Sequence, residues 1–110
     1  MFLARVIGTV VATQKDRKMR GRKLLLVQPH VVRPESGFPP ALVPSGGSVV
    51  AVDTVGAGDG ELVMVTQGSS ARLTDSTSDA PVDAVVIGIV DTIDAEQQII
   101  FQQGKAVERG

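Results

Sequence analysis

The side chains of this 110-residue chain that could do chemistry are few and poorly matched. Ser69 and Ser70 offer hydroxyls, but a serine nucleophile needs a base, usually histidine. The one histidine, His30, follows Pro29 in an apolar run and reads as a partly exposed residue at a strand end. No G-x-S-x-G elbow is present. Backbone hydrogen bonding is the ordinary use of such serines. One His and no Cys leave only scattered carboxylates for a metal. Asp53, Asp83 and Asp91 lie among apolar neighbours. Without a catalytic partner they read as structural acceptors, bonded to backbone N–H groups at a turn or paired with Arg5 or Arg72 across an interface.

Gly56-Ala57-Gly58-Asp59-Gly60 resembles a phosphate loop only superficially. A dinucleotide fingerprint needs G-x-G-x-x-G between a strand and a helix, whereas this G-x-G-x-G runs into the strand-like Glu61–Thr66 and lacks the Lys-Ser/Thr of a P-loop. It reads as a tight turn whose glycines accept positive φ. The expectation is therefore no catalytic, cofactor-binding or metal-ligating residues, no cofactor, and a protein that is not an enzyme.

Charge is unevenly spread. Six of the eleven basic residues fall between Lys15 and Lys23, including Arg17, Lys18 and Arg20, and nine of the twelve acidic ones between Asp53 and Glu96. A basic loop can bind nucleic acid or be a solvated hairpin tip. Single-strand binding needs aromatic platforms, and three Phe with no Tyr or Trp supply them poorly. An oligomeric binding module using the 15–23 loop is the alternative reading; nucleic acid and membrane are not expected partners. No run approaches the roughly 20 apolar residues that span a bilayer, and the N-terminus lacks the pattern of a secretory signal.

The elements that must position these groups are strands. With so few aromatics, the core is left to Val, Ile, Leu and Ala, and the β-branched members favour strands. Phe2–Thr13, Lys23–Val32, Ser48–Val55, Glu61–Thr66 and Val82–Ile93 read as five main strands, with a short one over Gln97–Gln103. Gly68–Leu73 could form one helical turn capped by Ser69 or Ser70. The stretch from Arg33 to Gly47, carrying Pro34, Pro39, Pro40 and Pro44, reads as a surface loop because Pro cannot donate to a ladder. This pattern predicts an all-β fold, a five-stranded OB-like Greek-key barrel with a short helical turn.

Three of these strands lack the alternation of a half-wet sheet: Leu24–Val27, Val49–Val52 and Val85–Val90 are apolar on both faces. A small barrel points one face of each strand outward, so those faces need cover, and another subunit is the expected cover. Val85, Ile87 and Ile89 are the expected core or interface residues.

Four runs in order carry a resemblance: Phe2-Leu3-Ala4-Arg5-Val6-Ile7-Gly8-Thr9-Val10-Val11-Ala12-Thr13-Gln14-Lys15 with Gly21-Arg22-Lys23-Leu24-Leu25-Leu26-Val27-Gln28-Pro29, Ala51-Val52-Asp53-Thr54-Val55-Gly56-Ala57-Gly58-Asp59-Gly60-Glu61, Gly68-Ser69-Ser70-Ala71-Arg72, and Pro81-Val82-Asp83-Ala84-Val85-Val86-Ile87-Gly88-Ile89-Val90-Asp91. Together they resemble the EutN/CcmL family over residues 1–93, with the Pro-rich insertion at 33–47 and residues 94–110, a last hairpin strand and tail, less well matched. The resemblance implies a barrel that assembles as a cyclic homopentamer. Such pentamers fill the vertices of a polyhedral microcompartment shell in the bacterial cytoplasm, among hexameric and pseudo-hexameric tiles. It implies a structural role with no catalytic residues to carry over. On that basis Gly68, Ser69, Ser70 and Arg72 are expected at a pore or subunit seam, and Lys15, Arg17, Lys18 and Arg20 at the rim facing other shell tiles.

Overall fold

The computed structural model describes residues 1–13, 17–19, 21–35, 38–68 and 83–104. Its strands in chain order are β1 (Phe2–Val10), β2 (Lys23–Glu35), β3 (Phe38–Pro44), β4 (Val49–Asp53), β5 (Leu62–Gln67), β6 (Ala84–Ile89), β7 (Thr92–Ala95) and β8 (Gln98–Gln102), with a 3-10 turn at Arg17–Met19. The main sheet runs β1-β5-β6-β4-β2-β3, and β1 also pairs with β2, so β1, β5, β6, β4 and β2 close a five-stranded barrel. All its pairings are antiparallel except β4 with β6. This is the expected OB-like arrangement.

Alternation along each strand fills the barrel. Ala4, Val6, Leu25, Val27, Ala51, Val63, Val65, Ala84 and Val86 form one buried cluster, with Phe2, Val49 and Ile89 packed against it. Small and β-branched side chains suit so narrow an interior.

Two bulges interrupt the alternation. In β1, Val6 pairs with Val27 and Gly8 with Leu26, which leaves Ile7 as the extra residue. In β6, Val86 pairs with Val65 and Gly88 with Met64, which leaves Ile87 extra. A bulge moves every later side chain to the other face. Ile89 therefore points into the barrel core, whereas Val85 and Ile87 belong to a separate cluster with Leu24 and Val52.

The Pro-rich stretch is not a surface loop. β2 runs on to Glu35, and β3, which begins at Phe38, pairs with it from His30↔Pro44 to Glu35↔Phe38. β3 ends the sheet order, and an edge strand can carry Pro where its N–H would face outward. The ribbon it forms with β2 lengthens the molecule to 51 Å, against 23 and 22 Å across. β2 alone, at about 3.3 Å per residue, accounts for most of that length. Likewise the long strand expected to Ile93 stops at Ile89, and β7 belongs to a second, two-stranded sheet with β8.

Candidate assembly surface

The outside of the barrel has two apolar regions, one covered by the chain's own C-terminal hairpin and one that stays partly open. Leu62, Val90 and Phe101 are buried together, with Leu3, Leu42, Met64 and Ile93 packed around them. This places the β7–β8 hairpin over β1, β5 and β3. Val90 N–H donates to the Leu62 carbonyl at 2.9 Å, Gln103 N–H to Asp91 O at 2.8 Å, and the Gln103 side-chain amide to Val90 O at 3.1 Å. Arg5 reinforces the contact: its Cζ lies 5.7 Å from the Phe101 ring centroid, and Nη1 donates to Gly60 O at 2.8 Å. A cleft of about 660 Å³ opens beside this pair, lined by Arg5, Leu42, Asp59, Glu61 and Phe101 among others. Nothing local in the chain links Arg5 to Phe101, so this contact has no signal in the sequence.

The other region crosses four strands. Val10 pairs with Leu24, Leu24 with Val52, and Val52 with Val85. A second rung joins Gly8, Leu26 and Val50. These positions alternate with the barrel-filling ones and so face outward. Val52 and Val85 are buried, Leu24, Leu26 and Ile87 half-buried, and Val50 is 48% exposed. A wet face would carry polar residues here.

The Gly56–Gly60 segment is a rigid turn. The Asp53 carboxylate accepts N–H groups from Val55 (3.0 Å), Gly56 (3.2 Å) and Ala57 (2.9 Å). Lys23 Nζ donates to Ala57 O at 3.1 Å, and Gly58 N–H to Glu61 Oε1 at 2.6 Å. Gly56 and Gly60 have φ of 78° and 83°, the left-handed region where a Cβ is penalised. Asp53 thus takes the backbone-acceptor role expected of it.

The remaining residues singled out in the sequence scatter. His30 is buried, not partly exposed: β2 continues past it, with Leu3 paired on one side and Pro44 on the other, and its Nδ1 lies 2.9 Å from Gln28 O. Asp83 and Asp91 are exposed. Gly68 ends β5 with φ 67°, its N–H donating to Asp83 O at 2.8 Å; Ser69, Ser70 and Arg72 lie outside the described residues. Arg17 and Lys18 are exposed in the 3-10 turn, and Lys15 and Arg20 lie outside the described residues. Among the described residues, these groups form no catalytic constellation.

The chain matches the model of a family described as ethanolamine utilisation protein EutN/carboxysome over residues 1–91. It is 50% identical to the microcompartment shell vertex protein PduN of Salmonella typhimurium, over 84% of this chain and 98% of that one. The solved GrpN pentameric microcompartment shell protein of Rhodospirillum rubrum superposes with a TM-score of 0.67 at 46% identity, covering 86% of this chain and 98% of GrpN. CcmL of Gloeobacter violaceus superposes with a TM-score of 0.80 at 40% identity, over 96% of this chain and all of CcmL.

Proposed function

The chain belongs to the EutN/CcmL family, and from that membership we infer that it is a structural shell subunit, assembling as a homopentamer at the vertices of a bacterial microcompartment in the cytoplasm. A sheet of hexagonal tiles cannot curve shut without five-fold elements. A five-fold ring is built from one heterologous contact repeated until it closes. The observation that carries this reading is the open part of the outer apolar face, where Leu24, Leu26 and Ile87 are only half-buried and Val50 is exposed beside the buried Val52 and Val85, a face for which a neighbouring subunit is the natural cover.

The exposed turn with Arg17 and Lys18 supports a further role, docking against hexameric shell tiles through charge. Contacts of that kind are screened over a Debye length of roughly 8 Å at physiological ionic strength. Native mass spectrometry of the purified chain tests the pentamer, and a persistent single-chain mass would remove it. Co-expression with a hexameric shell protein tests docking: reversing the charges of Arg17 and Lys18 should leave the pentamer intact and lower its incorporation into shells. Undiminished vertex occupancy would eliminate the docking role.

A further inference from the structure

Resting on the pentamer reading, the geometry points to a specific seam: we propose that the β2–β3 ribbon of one subunit lies across the outer apolar ladder of the next.

Two of the large apolar side chains that the described residues leave exposed lie toward one face of the ribbon: Val31 at 37% and Phe38 at 53%. Along β2 the barrel-facing positions are Leu25 and Val27. Continuing the alternation, Pro29, Val31 and Arg33 carry that face out beyond the barrel, where no barrel remains to enclose it. Val43 pairs with Val31 and Ala41 with Arg33, so the face is two strands wide. Its reverse is already engaged, since Leu42, paired with Val32, packs into the cluster beneath the β7–β8 hairpin. The ribbon is thus backed on one side and apolar on the other.

The ladder at Leu24, Leu26, Val50 and Ile87 is the complementary surface. A closing ring joins two unlike patches of the same chain, and these patches differ in place and shape: a projecting arm and a broad outer face. Their rims have opposite charge, with exposed Arg33 beside Val31 and exposed Asp83 near Val85. The occupant of the ladder is therefore a second copy, and GrpN, a relative 46% identical, is pentameric.

The absence of cysteine makes the test clean. Val31→Cys, Val50→Cys and the double variant are treated with a short bis-maleimide. Within one chain the two positions cannot be bridged. Val50 pairs with Leu26, and Val31 lies five residues further along β2, about 16 Å away, on the opposite face of the sheet. The expected result is that each single variant stays one chain on a denaturing gel, while the double variant gives covalent species up to five chains. Mixing the two single variants before refolding should give cross-linked pairs containing one of each. Native mass spectrometry of the same double variant separates the two readings. A five-chain mass without cross-links overturns the arm-on-ladder seam and leaves the pentamer standing; a one-chain mass overturns both. Cross-linking in either single variant would show like patches meeting, which also overturns the proposal.

Discussion

Arg5 and Phe101 hold opposite ends of the chain together, the guanidinium carbon 5.7 Å from the ring centroid. Arg5 sits on β1 and Phe101 on β8, so the pair pins the C-terminal hairpin to the barrel. Phe101 is also buried against Leu62 and Val90. Truncating Phe101 to Ala should cost about 3–5 kcal/mol, the usual range for a buried Phe. Replacing Arg5 with Met should cost less, about 0.5–1 kcal/mol for the cation–π contact at a partly exposed site. Thermal melts give both values. Amide exchange in β7 and β8 should rise in the Phe101 variant before it rises in the barrel; equal protection throughout would show that the hairpin is not held by this residue.

The bulge at Ile87 separates two substitutions that look alike in the sequence. Ile89→Asp puts a carboxylate inside the barrel and should destabilise each subunit by several kcal/mol, as burial of an unpaired polar group does. Ile87→Asp alters the outer face and should leave a folded chain with impaired association. Circular dichroism read alongside native mass distinguishes them. Two variants with the same melting point and the same mass would contradict the register.

Asp53→Ala should loosen the turn that follows β4. Three N–H groups lose their acceptor, and that of Ala57 belongs to a fully buried residue. A buried donor left unsatisfied costs about 1–3 kcal/mol. Asp53→Asn should recover part of the loss, because one oxygen remains while the new amide meets another donor. Chemical denaturation with matched slopes measures the series, and a wild-type midpoint for Asp53→Ala would refute the assigned role.

The β7–β8 hairpin turns through Glu96 and Gln97, with φ of 50° and 65°. Ala95 pairs with Gln98, so the loop has two residues, both in the left-handed region that Asn-Gly favours in type I′ turns. Replacing Glu96-Gln97 with Asn-Gly should raise stability by about 0.5–1 kcal/mol through relief of backbone strain. A lower melting temperature would mean that the side chains at this tip make contacts worth more than the strain.

Much of the barrel was legible because turn signals and β-branched runs are local. The apolar character of both faces of Leu24–Val27 and Val85–Val90 matches the outer ladder across β1, β2, β4 and β6, where Val52 and Val85 are already buried within the chain and Val50 stays open. The bulges were not legible: Val-Val-Ile-Gly-Ile reads the same in either register, so the split between Ile87 and Ile89 is set by pairing with β5. The ribbon was misread because proline density signals loop, and only position at the sheet edge makes Pro39, Pro40 and Pro44 compatible with a strand. The hairpin that covers Leu62 was visible as a strand, but its docking site depends on contacts remote in sequence.

The closure of the barrel has a mechanical meaning. β4 and β6 share only two paired positions, Val52↔Val85 and Asp53↔Val86, while β1 and β2 share seven. A hoop bears tension only as well as its shortest lap joint. In this barrel that joint is also the site of the parallel pairing, the slightly weaker kind per residue. Thr54 acts as a rivet just beyond it: its hydroxyl donates to Val86 O at 2.7 Å, and its N–H reaches the same oxygen at 3.4 Å. Lateral strain across a curved shell would reach each subunit as a pull on such staves. The subunit's resistance to tearing therefore rests on one threonine and two rungs, on the flank where Val52 and Val85 form part of the outer ladder.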